Sequence, residues 1–161
     1  MSYKVIDNFL KQRYFDDICE YYLTDKLPWY YEEVVNDFDK QEKAFYFVHQ
    51  VYKDHSINSS YHNPLIPLID KLNTKSLIRI KANLYPHSEK LITHAAHTDY
   101  NFEHKGAIFY LNTNNGYTIL EDGTKIESVA NRLLMFDAHK PHQSTNCTDE
   151  KVRVNINFNY F

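Results

Sequence analysis

His97-Thr98-Asp99, followed by His142 and then Arg153, is the set of residues in this chain whose types could support metal chemistry. Two imidazoles and one carboxylate suit iron(II), and three such ligands leave coordination positions for a bidentate ligand and dioxygen. A histidine and an aspartate two apart in a strand point to the same side, so His97 and Asp99 can converge on one metal from one short segment. His142 must be returned to them by the sheet. Arg153 adds a planar guanidinium able to pair bidentately with a carboxylate.

The tripeptide alone is weak evidence, because the chain has nine histidines and His87-Ser88-Glu89 fits the same pattern. That pair follows Tyr85-Pro86 and is expected in a connecting loop. His139 competes with His142 in the stretch HKPH, and Lys151 competes with Arg153 from the same strand face but without the forked guanidinium. His94 is a candidate supporting or substrate contact, a role that a lone histidine near a site usually does not fill.

The elements that would position these residues change character halfway. Leu10, Tyr14, Ile18, Tyr21 and Tyr22 are spaced by three and four, which predicts an amphipathic helix over 8–23 with Asp7 or Asn8 as cap. Leu65, Ile66, Leu68, Ile69 and Leu72 predict a second helix over 63–73. Trp29, Tyr30 and Tyr31 read as an early strand, with an aromatic wall beside a substrate mouth as the other reading. From Ser76 the period becomes two: SLIRIKANLY, AIFYLN, GYTIL, TKIES, LLMFDA and KVRVNINFNYF are short β-rich runs, separated by turn residues such as Asn114-Asn115-Gly116 and Asp122-Gly123. Helices first and strands second indicate an α+β chain with the helices backing one sheet. In the last run Val154, Ile156, Phe158 and Tyr160 share one face, and Arg153, Asn155, Asn157 and Asn159 the other. The polar face is either solvated or turned into a cavity, where a buried arginine would require an anionic partner. Alternation from an inward Tyr85 also brings Asn83, Lys81 and Arg79 inward. That is costly for two cations, so either the strand runs on into solvent or a bulge changes its facing.

Length and composition set limits. With 161 residues, 43% of them hydrophobic and 16% aromatic, and no repeat or low-complexity linker, one domain is expected, with 1–75 as support and early strands and 76–161 as the barrel. A net charge of −3 gives no global electrostatic reason to bind nucleic acid. The cluster Lys71, Lys75, Arg79, Lys81 and Lys90 reads as a solvated charged face, with an acidic or nucleic-acid substrate the lesser reading. Cys19 and Cys147 are too few for a disulfide framework, which points to a reducing compartment. No secretory h-region or apolar span is evident, so a soluble, cytoplasmic protein is expected. Residues 32–62, polar and poorly periodic, are the candidate for a mobile lid. Oligomeric state is not legible.

The second half resembles the iron(II)/2-oxoglutarate-dependent dioxygenases, specifically their prolyl 4-hydroxylase-like branch. The resemblance covers roughly 76–161 and rests on an ordered series: ANLYP with Tyr85, His97-Thr98-Asp99, IFYLN with Tyr110, LLMFDAHKPH with His142, and RVNINFNYF opening at Arg153. It implies a double-stranded β-helix, a jelly-roll-like barrel with N-terminal helices on its larger sheet. It also implies that His97, Asp99 and His142 hold iron(II), that Arg153 receives the distal carboxylate of 2-oxoglutarate, and that Tyr85 and Tyr110 hydrogen-bond this co-substrate. The implied activity is an oxidoreductase reaction using O2, with ascorbate a candidate reductant, in which an unactivated C–H bond is hydroxylated. Asp99 favours hydroxylation over halogenation, since halogenating relatives replace this carboxylate. The branch suggests a prolyl residue of a peptide or protein as substrate, and leaves open small molecules such as free amino acids, other protein side chains and alkylated nucleobases. The alternatives from other classes are a non-catalytic metal- or ligand-binding jelly roll and a nucleic-acid dealkylase.

Overall fold

The structure, a computed structural model, describes residues 3–33 and 44–161. Its larger sheet runs in the order β1 (Lys4–Ile6), β9 (Arg132–Phe136), β6 (Lys105–Tyr110), β11 (Val152–Tyr160), β5 (Leu77–Pro86), β3 (Tyr46–Lys53) and β2 (Tyr30–Glu32), with β4 (Ser56–Ile57) pairing to β3 off this path. A second sheet is β10 (Gln143–Ser144), β7 (Tyr117–Ile119) and β8 (Lys125–Glu127). All these pairings are antiparallel. With the helices on the larger sheet, this is the double-stranded β-helix that the sequence led us to expect.

Alternation in β11 decides what each face of the large sheet does. Val154, Ile156 and Phe158 join Ile80 and Ala82 of β5 in a core that also takes Ile18 and Tyr22 from α1 (Gln12–Tyr22) and Leu68 and Leu72 from α2 (Ile66–Leu72). Arg153, Asn155, Asn157 and Asn159 lie on the other face, and each is at most 7% exposed. The solvated-surface reading of that face therefore fails, because β11 is buried on both sides.

Both helices are shorter than their apolar spacing suggests. Neither Asp7 nor Asn8 caps α1: the N-cap is Lys11, without a side-chain bond, and Asn8 instead turns the chain at φ 50°. The anchor is Asn131, whose side chain accepts a hydrogen bond from the Leu10 amide and donates one to the Leu10 carbonyl, each at 2.9 Å. The expected helix 63–73 resolves into a 3-10 helix over Ser60–Leu65, which contains Pro64, and then α2. Pro67 sits in the first turn of α2, where its missing N–H costs nothing, and Asn73 ends the helix in the left-handed region at φ 53°.

The span 32–62, read as one that could include a mobile lid, is built into the fold where it is described. Most of this span is structural: β3 is an interior strand between β5 and β2, and β4 and the 3-10 helix follow it. The consecutive polar pair His49-Gln50 breaks the apolar period and hid the strand. Residues 34–43 of the span lie outside those described. Trp29 to Tyr31 do lead into a strand, β2, with Tyr30 and Tyr31 exposed. No helix among the described residues is long and apolar enough to cross a membrane.

Candidate metal centre and co-substrate site

His97 and His142 meet across the gap between the sheets. Each backbone N–H donates to the other's carbonyl, at 3.0 and 2.9 Å, an isolated antiparallel bridge that sets the two rings 4.6 Å apart. Asp99 is not carried by a strand as expected. It sits on a bend just past this bridge, fixed by its N–H donating to the Ala138 carbonyl at 3.2 Å. One side-chain donor atom from each of His97, Asp99 and His142 lies within 4.8 Å of the others, close enough for one ion to bridge all three. The Nδ1–H of His142 donates to the Lys140 carbonyl at 3.0 Å, which fixes the tautomer and leaves Nε2 as a metal donor.

The carboxylate is held from three sides. Arg79 donates to Asp99 Oδ1 at 2.8 Å, while Asn157 and Asn159 donate to Oδ2 at 3.2 and 2.8 Å. Burial alone would raise the Asp99 pKa, but the charge of Arg79, then that of His142 and the Asn159 bond, hold it well below the carboxylate range. Asp99 is thus ionised at any pH at which iron(II) would bind.

This arrangement corrects the reading of Arg79 and Lys81 as solvated, on an over-long strand or beside a bulge. β5 keeps its alternation, with Arg79, Lys81, Asn83 and Tyr85 opposite Asn159, Asn157, Asn155 and Arg153. Arg79 is tolerated because it pairs with Asp99. Lys81 is accommodated differently: burial, then the charge of Arg79, pushes its pKa down to about 8. It donates to the Tyr46 hydroxyl at 3.4 Å and lies 5.6 Å from the Tyr46 ring, with Asp99 and Glu32 as more distant opposite charges.

Arg153 is fully buried. It donates to Ser128 Oγ at 2.7 Å, to the Thr145 carbonyl at 3.1 Å and to Thr118 Oγ1 at 3.3 Å. All three acceptors are neutral, and among the described residues no carboxylate lies within 4.0 Å of it. The rings of Tyr85 and Tyr110 lie 5.2 and 5.7 Å from the guanidinium, and the Tyr110 hydroxyl donates to Thr118 at 2.8 Å. Tyr85 is stacked between Tyr46 and His94 at 5.5 and 5.4 Å. His94 itself bonds Ser144 Oγ, and burial, then the charge of Arg153, lowers its pKa to about 3. Gly116 is required beside Arg153: a Cβ there would stand 2.5 Å from Arg153 Cδ and 2.4 Å from the Asn146 carbonyl.

The competing residues lie elsewhere. His87 and Glu89 are exposed, as is Lys151. His139 lines a larger open groove of about 700 Å3 with His104, Phe136 and Phe161, where no set of metal donors converges among the described residues. The triad instead borders a narrow cavity of about 40 Å3, walled by Tyr46, Lys81, Asn83, Tyr85, Thr118 and Asn157 among others. Sequence reading missed Thr118, Ser128 and the two asparagines on Asp99. The inward face of β11 signalled the asparagines, but no local signal marks the hydroxyls.

No protein-family model and no curated protein matches the chain. Solved structures do. A prolyl hydroxylase from Trichoplax adhaerens, in complex with a hypoxia inducible factor oxygen degradation domain peptide fragment, aligns with TM-score 0.73 at 16% identity over 99% of this chain and 83% of its own. An oxidoreductase of the 2OG-Fe(II) oxygenase family from Burkholderia pseudomallei aligns with TM-score 0.76 at 10% identity, covering 98% and 84%. A Pseudomonas putida prolyl-4-hydroxylase aligns with TM-score 0.66 at 14% identity, covering 98% and 91%. At these identities the likeness is one of fold: the chain has the double-stranded β-helix of the 2OG-Fe(II) oxygenases.

Proposed function

We propose that the protein is an iron(II)- and 2-oxoglutarate-dependent dioxygenase that hydroxylates an unactivated C–H bond. The observation that carries this reading is Arg153, a fully buried guanidinium with only neutral acceptors, on the same inward face as the residues that grip Asp99. A buried cation with no counter-anion is expensive, and a ligand carboxylate offsets that cost. A non-catalytic metal site has no need of such a receptor.

In this reading His97, Asp99 and His142 hold the metal, a donor set of two imidazoles and a carboxylate suited to iron(II). Arg153 receives the distal carboxylate of 2-oxoglutarate, flanked by Tyr85 and Tyr110. When bound, metal and co-substrate supply the oxidising chemistry: C–H, O2 and 2-oxoglutarate become C–OH, succinate and carbon dioxide. The chain's own contribution is positional. Arg79, Asn157 and Asn159 keep Asp99 ionised and aimed, Lys140 fixes the His142 tautomer, and the stacked Tyr46 and Tyr85 exclude water. A cavity of about 40 Å3 holds a few waters at most, so lining side chains shift when the diacid enters. A prolyl residue of a peptide is one substrate consistent with the fold, since one structural neighbour holds such a peptide fragment.

The test is anaerobic visible absorption of the protein with iron(II), before and after 2-oxoglutarate, for wild type, Asp99→Ala and Arg153→Met, with circular dichroism to show that each is folded. A metal-to-co-substrate charge-transfer band in wild type that is weakened in both variants is expected. Absence of the band from wild type, with tightly held zinc instead, would sink the reading.

A further inference from the structure

Lys81 is the charged group in the cavity wall that the proposed co-substrate chemistry leaves unused. Among the described residues Asp99 is the one carboxylate lining the cavity, and it is already paired with Arg79 at 2.8 Å. Of the two carboxylates of the diacid, one goes to Arg153 and the other to the metal, so neither is free for Lys81. Lys81 also stands away from Arg153. It is four residues from Tyr85, the register partner of Arg153, on the same face of β5, hence about 13 Å along the strand.

Around Lys81 the polar groups are incompletely satisfied in a complementary way. Its ammonium carries three N–H groups, yet its side-chain bond is a long one, 3.4 Å, to the Tyr46 hydroxyl. Asn83, two residues along, donates to Asn155 Oδ1 at 3.0 Å, and its own Oδ1 is buried without a partner. Asn157, directly across on β11, donates to Asp99, and its Oδ1 is likewise buried without a partner. Both asparagines line the same cavity and are at most 7% exposed. Among the described residues Lys81 has no carboxylate within 4.0 Å, Asp99 and Glu32 acting on it only from further off, and the two Oδ1 acceptors have no donor; one molecule carrying a carboxylate next to an amine would satisfy both.

Building on the oxygenase reading, we infer that Lys81, Asn83 and Asn157 form the receptor for the carboxylate and amine of a free amino acid, the compound that this enzyme hydroxylates. A residue inside a peptide has both groups consumed in amide bonds and presents nothing to Lys81. The reaction consumes the amino acid, O2 and 2-oxoglutarate and yields the hydroxyamino acid, succinate and carbon dioxide.

The experiment titrates the anaerobic protein, loaded with iron(II) and 2-oxoglutarate, with the common amino acids as free acids, with the carboxamide of each, and with a prolyl peptide blocked at both ends. Binding is read as a shift of the visible band, and succinate release in air is the second readout. At least one free acid is expected to shift the band in wild type while its amide and the blocked peptide do not. In Lys81→Met the band still forms but half-saturation by that acid weakens roughly tenfold to hundredfold, the range for a hydrogen bond to a charged group, and Lys81→Arg recovers part of it. No responding free acid, an equal response to the amide or the blocked peptide, or undiminished binding in Lys81→Met each overturns the inference while leaving the oxygenase reading intact. Loss of the band itself in Lys81→Met would place Lys81 in the co-substrate site and also overturn it. No band in wild type removes the oxygenase reading and this inference with it.

Discussion

Arg153 and Asp99 define opposite poles of the site, one a cation without an anion and the other an anion held by three donors. Arg153→Met keeps an unbranched stem and removes the receptor. It is expected to weaken 2-oxoglutarate binding, measured by calorimetry with manganese(II) in place of iron, roughly thirtyfold or more, the cost of deleting a buried charge partner. Asn159→Ala removes one support of Asp99 and leaves Arg79 in place. Metal affinity is then expected to fall roughly tenfold to hundredfold, with 2-oxoglutarate binding at saturating metal little changed. His94 shares the pH dependence with His97, whose pKa burial, then the charge of His142, lowers to about 4. The His94 pKa of about 3 in the fold lies below the ordinary 6.5, so between these values the unfolded chain binds more protons than the folded one. Stability of the metal-free protein therefore rises with pH across this window and is lost as pH falls from about 6.5 toward 3. Urea midpoints should show this fall, and His94→Phe should reduce it by about half between pH 6.5 and 5, where carboxylates of ordinary pKa contribute little and His97 supplies the rest. An unchanged slope in His94→Phe would refute this assignment of the acid sensitivity.

The strands and their junctions explain why much of this was legible. The division of β11 into two faces followed from a period of two in VRVNINFNY, though not which face turns inward, and the meander from 76 onward appeared as β5, β6, β7, β8, β9 and β11 within a few residues of the expected limits. What stayed hidden depends on distant pairing. β1 and β10 are only three and two residues long and exist because β9 and β7 offer edges to them. The bridge between His97 and His142 is likewise a tertiary event. The Arg79 and Lys81 problem was visible as a conflict, but its solution needed Asp99, 20 residues from Arg79 and in no fixed relation to it by sequence. Two substitutions test the junctions. Gly116→Ala places a methyl group against Arg153 and the Asn146 carbonyl, so it should cost about 1–3 kcal/mol and weaken 2-oxoglutarate binding together. Asn131→Ala removes both bonds to Leu10 and should cost about 1–3 kcal/mol while the charge-transfer band is retained, because its role is to tie the N-terminal segment to β9. Chemical denaturation gives the first quantity in each case and visible absorption the second.

At the level of the whole molecule, the site lies between the two sheets, so ligands that bind there should stabilise the fold as a unit. Manganese(II) with 2-oxoglutarate at a hundred times its Kd is expected to add about 2.7 kcal/mol and raise Tm, with little effect from the diacid alone. The order of strands has a consequence for how the chain is made. β11 is the centre of the large sheet, hydrogen-bonded to β6 on one side and β5 on the other, yet it follows both in sequence. On the ribosome, β5 and β6 emerge with open edges flanking a gap, the kind of exposure that invites association between nascent chains. The strand that fills this gap also delivers Arg153 and the asparagines around Asp99. On the proposed reading, a nascent chain therefore has no carboxylate receptor until its largest sheet is complete, and the strand that closes the exposed edges is the one that finishes the site.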